Sequence, residues 1–465
     1  MGAKVKEASN NPSALERVRE RLDRLRFPLG AVFLAAYAYS SLAPGSYGTV
    51  VFLGTGAVLY VVSVLWTSTF HKVLVLVAFA LSGVLLLSGQ FDAETFYEGL
   101  PAYFNIIAVL LVLSIAGYPI RADRYETQIR ALMAAMTKRG VEVRATAGAL
   151  GHVLGAVLDV GSFVLIDVIL HRAAPRERVE SLVWAGRTFA FCPLWTNLNV
   201  FTATTIMLTG VSYPGLLAAT LPFVLLGLAV TLFFAQREKD EVKDLLDPDT
   251  PLDRRAIAVL LYPVLLVTAV ALVSVLLPEL QLTVTIAITV AVVVVLIAAL
   301  ATALLRRTSP ARRLARETRN SLVSSHAEFA LFGSAGVLVL SLEGLGALAP
   351  VGSFLAALPS ILVAPALALI MGVGFLAGIH VIPLVLLINT AFPLSNGPAP
   401  ALWAAAILLG SQGALLLTPF SNATTMLSRL TGLHPLEIGK RNWKFGLFVA
   451  LAGFLYLGLL TLLLL

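Results

Sequence analysis

The chain has 465 residues, of which 58% are hydrophobic and 13% charged, and its mean hydropathy is +0.90; soluble domains hold roughly 45–50% apolar and about 25% charged residues. These figures exclude a soluble enzyme on a single anchor, and the continuous apolar runs exclude an outer-membrane barrel, whose strands are alternating segments of about ten residues. Thirty of the 33 lysines and arginines fall in six short segments (1–26, 121–144, 171–180, 236–255, 305–320 and 433–444), so the formal charge of +7 reads as a positive-inside orientation code and not as a nucleic-acid footprint. The three outside them are Lys72, Arg187 and Arg429. One cysteine, Cys192, supports no disulfide framework.

Residues 1–26 carry no recognisable cleavable signal, and Leu15 to Arg26 alternate Arg, Glu and Leu as a cytoplasmic amphipathic helix would. From there, apolar segments 28–43, 48–66, 72–89 and 104–120 cross in turn, leave the acidic stretch 90–103 outside and return the basic stretch 121–144 to the cytoplasm. The next run, 145–170, is long enough to cross but has basic sequence on both flanks. A re-entrant hairpin turning near Leu158-Asp159-Val160-Gly161-Ser162 satisfies both. The run 181–211 is too long for one span and is interrupted at Pro193-Leu194-Trp195-Thr196-Asn197, where proline removes a donor and breaks the helix. Segments 213–235, 256–277, 281–304 and 327–347 follow, with the charged loop 236–255 inside. The run 401–432 must end inside, before the basic residues at 433–444, so 361–392 begins and ends outside. It is expected to be a second hairpin, turning near Gly378-Ile379-His380-Val381-Ile382-Pro383. Segment 445–465 runs outward, for eleven spans and two hairpins in all.

The halves 27–235 and 256–465 echo one another. An offset of 225 residues sets Pro175 on Pro400, Arg187 on Gln412 and Asn197 on Asn422; beyond the break Leu208-Thr209-Gly210 answers Leu430-Thr431-Gly432, and with a shift of 223 Gly151 and Gly155 answer Gly374 and Gly378. One copy starts from inside and the other from outside. Discontinuous helices at matching places in inverted halves are the sequence pointer to a secondary transporter with a mid-membrane site.

This order of hairpin and proline-broken helix, with Thr196-Asn197 and Ser421-Asn422 at the breaks, resembles the ion transporter superfamily, which includes the divalent-anion/sodium symporters and TRAP transporter membrane subunits. The resemblance covers residues 104 to 465 and includes the phrase His326-Ala327-Glu328-Phe329-Ala330-Leu331-Phe332. It implies an anion held between two cation sites, each made by a hairpin tip and a broken helix, in a homodimer with elevator-like transport domains. The Ser-Asn-Thr tips of the best-known members are replaced here by Asp159-Val160-Gly161-Ser162 and His380-Val381-Ile382-Pro383.

At the breaks, Thr196, Asn197, Asn199, Ser421, Asn422 and Thr424 are expected to bind substrate; Thr196, Asn197, Ser421 and Asn422 also offer hard oxygens suited to sodium, or act simply as helix caps. Asp159, Gly161, Ser162 and His380 at the tips are expected to hold the coupling ion or proton; local turn and packing roles are the plain alternatives. Arg187 is read either as a bidentate anion ligand or as an ion-pair partner of Asp159 or Asp167. His152 and Cys192 are read as packing residues.

The sequence therefore predicts an all-α, multi-pass transporter of the inner (plasma) membrane, N-terminus inside, that moves a small carboxylate or inorganic oxyanion with sodium or protons and has no other cofactor. Its partners are the anion, the bilayer and a second copy. A proton-coupled exporter of the same fold is the nearest alternative. A membrane-embedded transferase is disfavoured, since no His-rich or paired-acid motif is present.

Overall fold

A computed structural model describes residues 14–43, 47–67, 69–90, 92–122, 125–171, 173–238, 254–278, 280–305, 309–396 and 399–464. Among these, every regular element is helical. The first set is α1 (Ala14–Leu42), α2 (Tyr47–Val64), α3 (Thr69–Leu87), α4 (Ala93–Ala116), α5 (Tyr118–Ala122) and α6 (Tyr125–Lys138). Next come α7 (Val143–Leu158), α8 (Gly161–Ile169), α9 (Pro175–Phe189), α10 (Val200–Thr209) and α11 (Tyr213–Arg237). The second half holds α12 (Arg254–Leu276), α13 (Leu282–Leu305), α14 (Ser309–Ser324), α15 (His326–Gly344) and α16 (Ala349–Ala357), then α17 (Ser360–Leu376), α18 (Val381–Ala391), α19 (Pro400–Ala414), α20 (Asn422–Thr431) and α21 (Pro435–Leu464).

Among the described residues, six stretches are long and apolar enough to cross a membrane: α2, residues 99–120, α11, residues 282–303, α15 and α21. The other spans expected run through shorter apolar stretches or divided helices. In α3 and α12 the apolar part is short, at Val75–Leu87 and Leu261–Leu276. The four runs around 145–170, 181–211, 361–392 and 401–432 are each divided into two shorter helices. The expected surface helix at residues 15–26 is not separate: α1 continues from it through Pro28 into the apolar stretch. Most of the charged loop 236–255, and residues 1–13, lie outside the described residues.

The helices pack as two groups. α1–α4 surround α13, α14 and α15, with α15 set against α2, α3 and α4. In the other group α7 packs on α8 and α9, while α17 packs on α19 and α19 on α21; α11 touches both α7 and α19. Between apolar helices in lipid there is little hydrophobic driving force, so close packing of small residues does the work. A Cβ on Gly151 would lie 2.9 Å from the Ala185 backbone, and one on Gly410 would lie 2.2 Å from the Ala368 carbonyl, so α7–α9 and α17–α19 meet backbone to backbone.

Charged side chains tie the first of these pairs together. Arg144 of α7, 8% exposed, meets Glu177 of α9 through Nη2 at 2.8 and 2.9 Å and Nε at 3.2 Å, and reaches Glu238 at 3.0 Å. The Trp184 indole donates to the same Glu238 at 3.1 Å.

Candidate functional site

The first helix pair, α7 and α8, turns at Asp159-Val160. Asp159 has φ +51° and ψ −139°, and Val160 has φ −61° and ψ −15°; these are the angles of a type II′ turn, whose first central position favours glycine. Asp159 is the one non-glycine residue at positive φ among the described residues. The Ser162 hydroxyl donates to its carbonyl at 2.8 Å. The second pair, α17 and α18, turns at residues 377–380, where the positive φ (+95°) belongs to Gly378. His380 caps α18 there, its Nδ1 accepting the Ile382 amide at 3.4 Å, which leaves Nε2 to carry the proton of a neutral ring.

The two helices broken after α9 and α19 match closely in length. α9 and α19 each have 15 residues, and α10 and α20 each have 10. From Pro175 to Pro400 the offset is 225, but from Val200 to Asn422 it is 222, so the first break is three residues longer. The offset of 225 therefore holds before the break, and the 222 that relates Leu208-Thr209-Gly210 to Leu430-Thr431-Gly432 holds after it. Asn199, not Asn197, is the counterpart of Ser421: Asn199 Oδ1 accepts the Phe201 amide at 3.0 Å and Ser421 Oγ the Thr424 amide at 2.9 Å. Both short helices end on left-handed glycines, Gly210 and Gly432.

The extra residues of the first break are used internally. Its freed carbonyls, expected to face a cation, accept hydroxyls: Thr202 donates to Pro193 at 2.5 Å, Thr220 to Leu194 at 2.6 Å and Tyr213 to Trp195 at 2.6 Å. Thr196 is buried and donates to the Ala156 carbonyl at 3.2 Å, which ties the break to α7. His152 makes a second tie. Its Nδ1 lies 3.0 Å from the Thr188 carbonyl and must donate to it, while the Trp195 indole donates to Nε2 at 3.0 Å. Asn197 is fully buried, with Nδ2 3.4 Å from the Val267 carbonyl.

A cavity of about 1000 Å³ lies where the two groups of helices face each other. One wall comes from α4, α14 and α15; the other comes from the turns of both helix pairs, the starts of α10 and α20, and the end of α19. Of the residues expected at a site, Asp159, Asn199, His380, Ser421 and Asn422 line it. Thr196, Asn197, Gly161, Ser162 and Thr424 do not; Thr424 Oγ1 donates instead to the Leu415 carbonyl at 3.3 Å.

Arg187 is also elsewhere. Its Nε donates to Asn442 Oδ1 at 2.9 Å, its Nη2 to the Arg441 carbonyl at 3.0 Å, and its guanidinium lies 4.2 Å from the centre of the Trp184 ring. The expected ion pair with Asp159 or Asp167 is absent: Asp167 is held by Arg178 at 2.5 and 2.8 Å. The arginine on the cavity wall is Arg429 of α20, another of the three basic residues that orientation leaves unexplained, so the signal was in the sequence. Glu328 and Gln412 line the cavity as well. An acid inside the apolar run 327–347 was the available sign for Glu328.

No protein-family profile matches the sequence, and no curated protein matches it. Among solved structures the chain is similar to the Alcanivorax borkumensis YdaH transporter, described as having an unusual topology, with a TM-score of 0.51 and 13% identity over 84% of this chain and 97% of that one. At that identity the likeness concerns the fold: this chain is a multi-helix membrane protein with the fold of a transporter.

Proposed function

We propose that the protein is a secondary transporter, of the kind the ion transporter superfamily comprises, that carries a small carboxylate or inorganic oxyanion through the cavity between its two helix groups. The observation that carries this reading is that α10 and α20 both start on that one cavity, whose wall also carries Arg429 from the last turn of α20. A helix start presents amides with no intrahelical acceptor and about half a positive charge. Asn199 and Ser421 each take one such amide, and the next turn's bonds take another. The amides of Val200, Asn422 and Ala423 are left to a bound anion, and the Arg429 fork supplies full charge. The transporter fold shared with the Alcanivorax protein supports transport over catalysis.

Coupling to protons fits this site better than coupling to sodium. The carbonyls that would ligate a cation at the first break already accept hydroxyls, whereas Asp159, Glu328 and His380 bring exchangeable protons to the cavity. The test is labelled-anion exchange by the purified protein in liposomes, under an imposed pH or sodium gradient. Uptake that follows the pH gradient without sodium is expected; uptake that needs sodium overturns the proton reading, and no exchange across carboxylates, sulfate and phosphate overturns transport of an anion. Arg429→Gln should raise KM by ~10- to 100-fold with unchanged membrane insertion, the loss typical of a hydrogen bond to a charged group; an unchanged KM removes Arg429 from the site.

A further inference from the structure

Gln412 sits on the cavity wall at the end of α19, yet only 3% of its surface is exposed. Its amide nitrogen is committed: Nε2 donates to the Leu408 carbonyl at 3.3 Å and to Ser411 Oγ at 2.8 Å. That pairing also fixes which end is oxygen, because a flipped amide would set Oε1 against the Leu408 carbonyl, which can only accept. Ser411 in turn donates to the same Leu408 carbonyl at 2.8 Å, so its hydroxyl is used in both senses. Oε1 is left as a buried acceptor with no partner. Twelve buried side-chain polar atoms are in this position among the described residues, and Gln412 Oε1 is one of the few that belong to residues of the cavity wall.

Gln412 lines the same cavity as the starts of α10 and α20 and Arg429, where the solute would lie. We propose that Gln412 Oε1 accepts a hydrogen bond from the transported anion, so that the solute class is an anion that also bears an N–H or O–H group, such as a hydroxy acid, an amino acid or an amide-bearing acid. This rests on the anion-transport reading above and narrows it. A plain dicarboxylate or simple oxyanion satisfies Arg429 and the helix starts but leaves Oε1 bare; a solute with a donor satisfies both. The counterpart of Gln412 in the first half is Arg187, which is turned to α21, so the donor-reading position exists once and orients the solute within the cavity.

The test uses pairs of acids in which a methyl replaces a hydroxyl at constant charge and nearly constant shape: lactate and isobutyrate, malate and methylsuccinate, 4-hydroxybenzoate and 4-methylbenzoate. Their ability to compete with the labelled substrate is measured on the intact protein in liposomes. In at least one pair that binds, the hydroxyl member should be about 10- to 100-fold tighter, because the alternative strands a buried acceptor. Gln412→Met should abolish that preference by weakening the hydroxyl member alone. Equal binding within every pair that binds means that water serves Gln412, and overturns this proposal while leaving the anion reading intact. No binding by any acid overturns both. A preference that persists in Gln412→Met assigns the donor contact to another residue and also overturns the proposal.

Discussion

Asp159 occupies a turn position whose backbone angles suit glycine, and the second helix pair does use glycine, Gly378, for its own positive-φ residue. Holding an aspartate at such angles costs on the order of 1–2 kcal/mol, and the carboxyl it brings lies on the cavity wall. Asp159→Gly should therefore separate stability from function: the thermal midpoint in detergent rises while uptake driven by a pH gradient is lost. A variant that is more stable and still fully active would show that the carboxyl has no part in transport. Residue-scale chemistry was partly legible in the sequence. Asp159, Asn199, His380, Ser421 and Asn422 stand out by type and position, since polar side chains in apolar runs are costly unless used, and all five line the cavity. Arg187 and Arg429 were equally anomalous by charge, and the sequence could not separate them, because the difference lies in which neighbour each meets: Asn442 of α21 for one, the cavity for the other.

At the scale of elements, what position and periodicity reveal is where a helix stops; what they conceal is how the loose ends are satisfied. Proline and polar residues marked both breaks, and the fall in offset from 225 at Pro175 and Pro400 to 222 at Leu208 and Leu430 carries the three-residue difference, but which polar residue caps each short helix is seen only from the helix starts at Val200 and Asn422. Likewise Arg144 and Arg178 read as members of basic loops, although each is paired inside the fold, Arg144 with Glu177 and Arg178 with Asp167. The Arg144–Glu177 pair is the more telling, since both side chains are buried, at 9% and 4% exposure. Removing Glu177 leaves the buried Arg144 with the half-exposed Glu238 as its acidic partner, so Glu177→Gln should destabilise the protein by less than the ~3–5 kcal/mol of a fully stranded charge, and replacing both members by methionine should recover most of that loss. Chemical unfolding of the two variants checks it. If the double replacement is as damaging as the single one, the pair contributes attraction beyond mutual neutralisation and is more than a fastener of α7 to α9.

At the scale of the whole molecule, the placement of charge makes a prediction about sidedness that the packing alone does not. If 121–144 and 171–180 lie on one side, α7 and α8 enter the membrane and return, and the same holds from the opposite side for α17 and α18. Single cysteines introduced in a Cys192→Ala background and probed with a membrane-impermeant thiol reagent on intact cells distinguish the possibilities. The chosen positions are all exposed: Arg139 and Arg176 flank the first helix pair, Ser360 and Pro393 flank the second, and Gln90, Ala347 and His434 serve as references. Cysteines at 90, 347, 360 and 393 should react on intact cells, and those at 139, 176 and 434 only after permeabilisation. Reaction at 139 but not 176, or at 360 but not 393, would make the affected pair a crossing and reverse the side of everything after it. The two-sided outcome matters for mechanism as well as topology. With both pairs re-entrant, their turns at Asp159 and His380 approach the cavity from opposite faces, so that each can close one side of it against the wall formed by α4, α14 and α15. With either pair crossing, only one face has such a gate, and alternating access would require a different moving part.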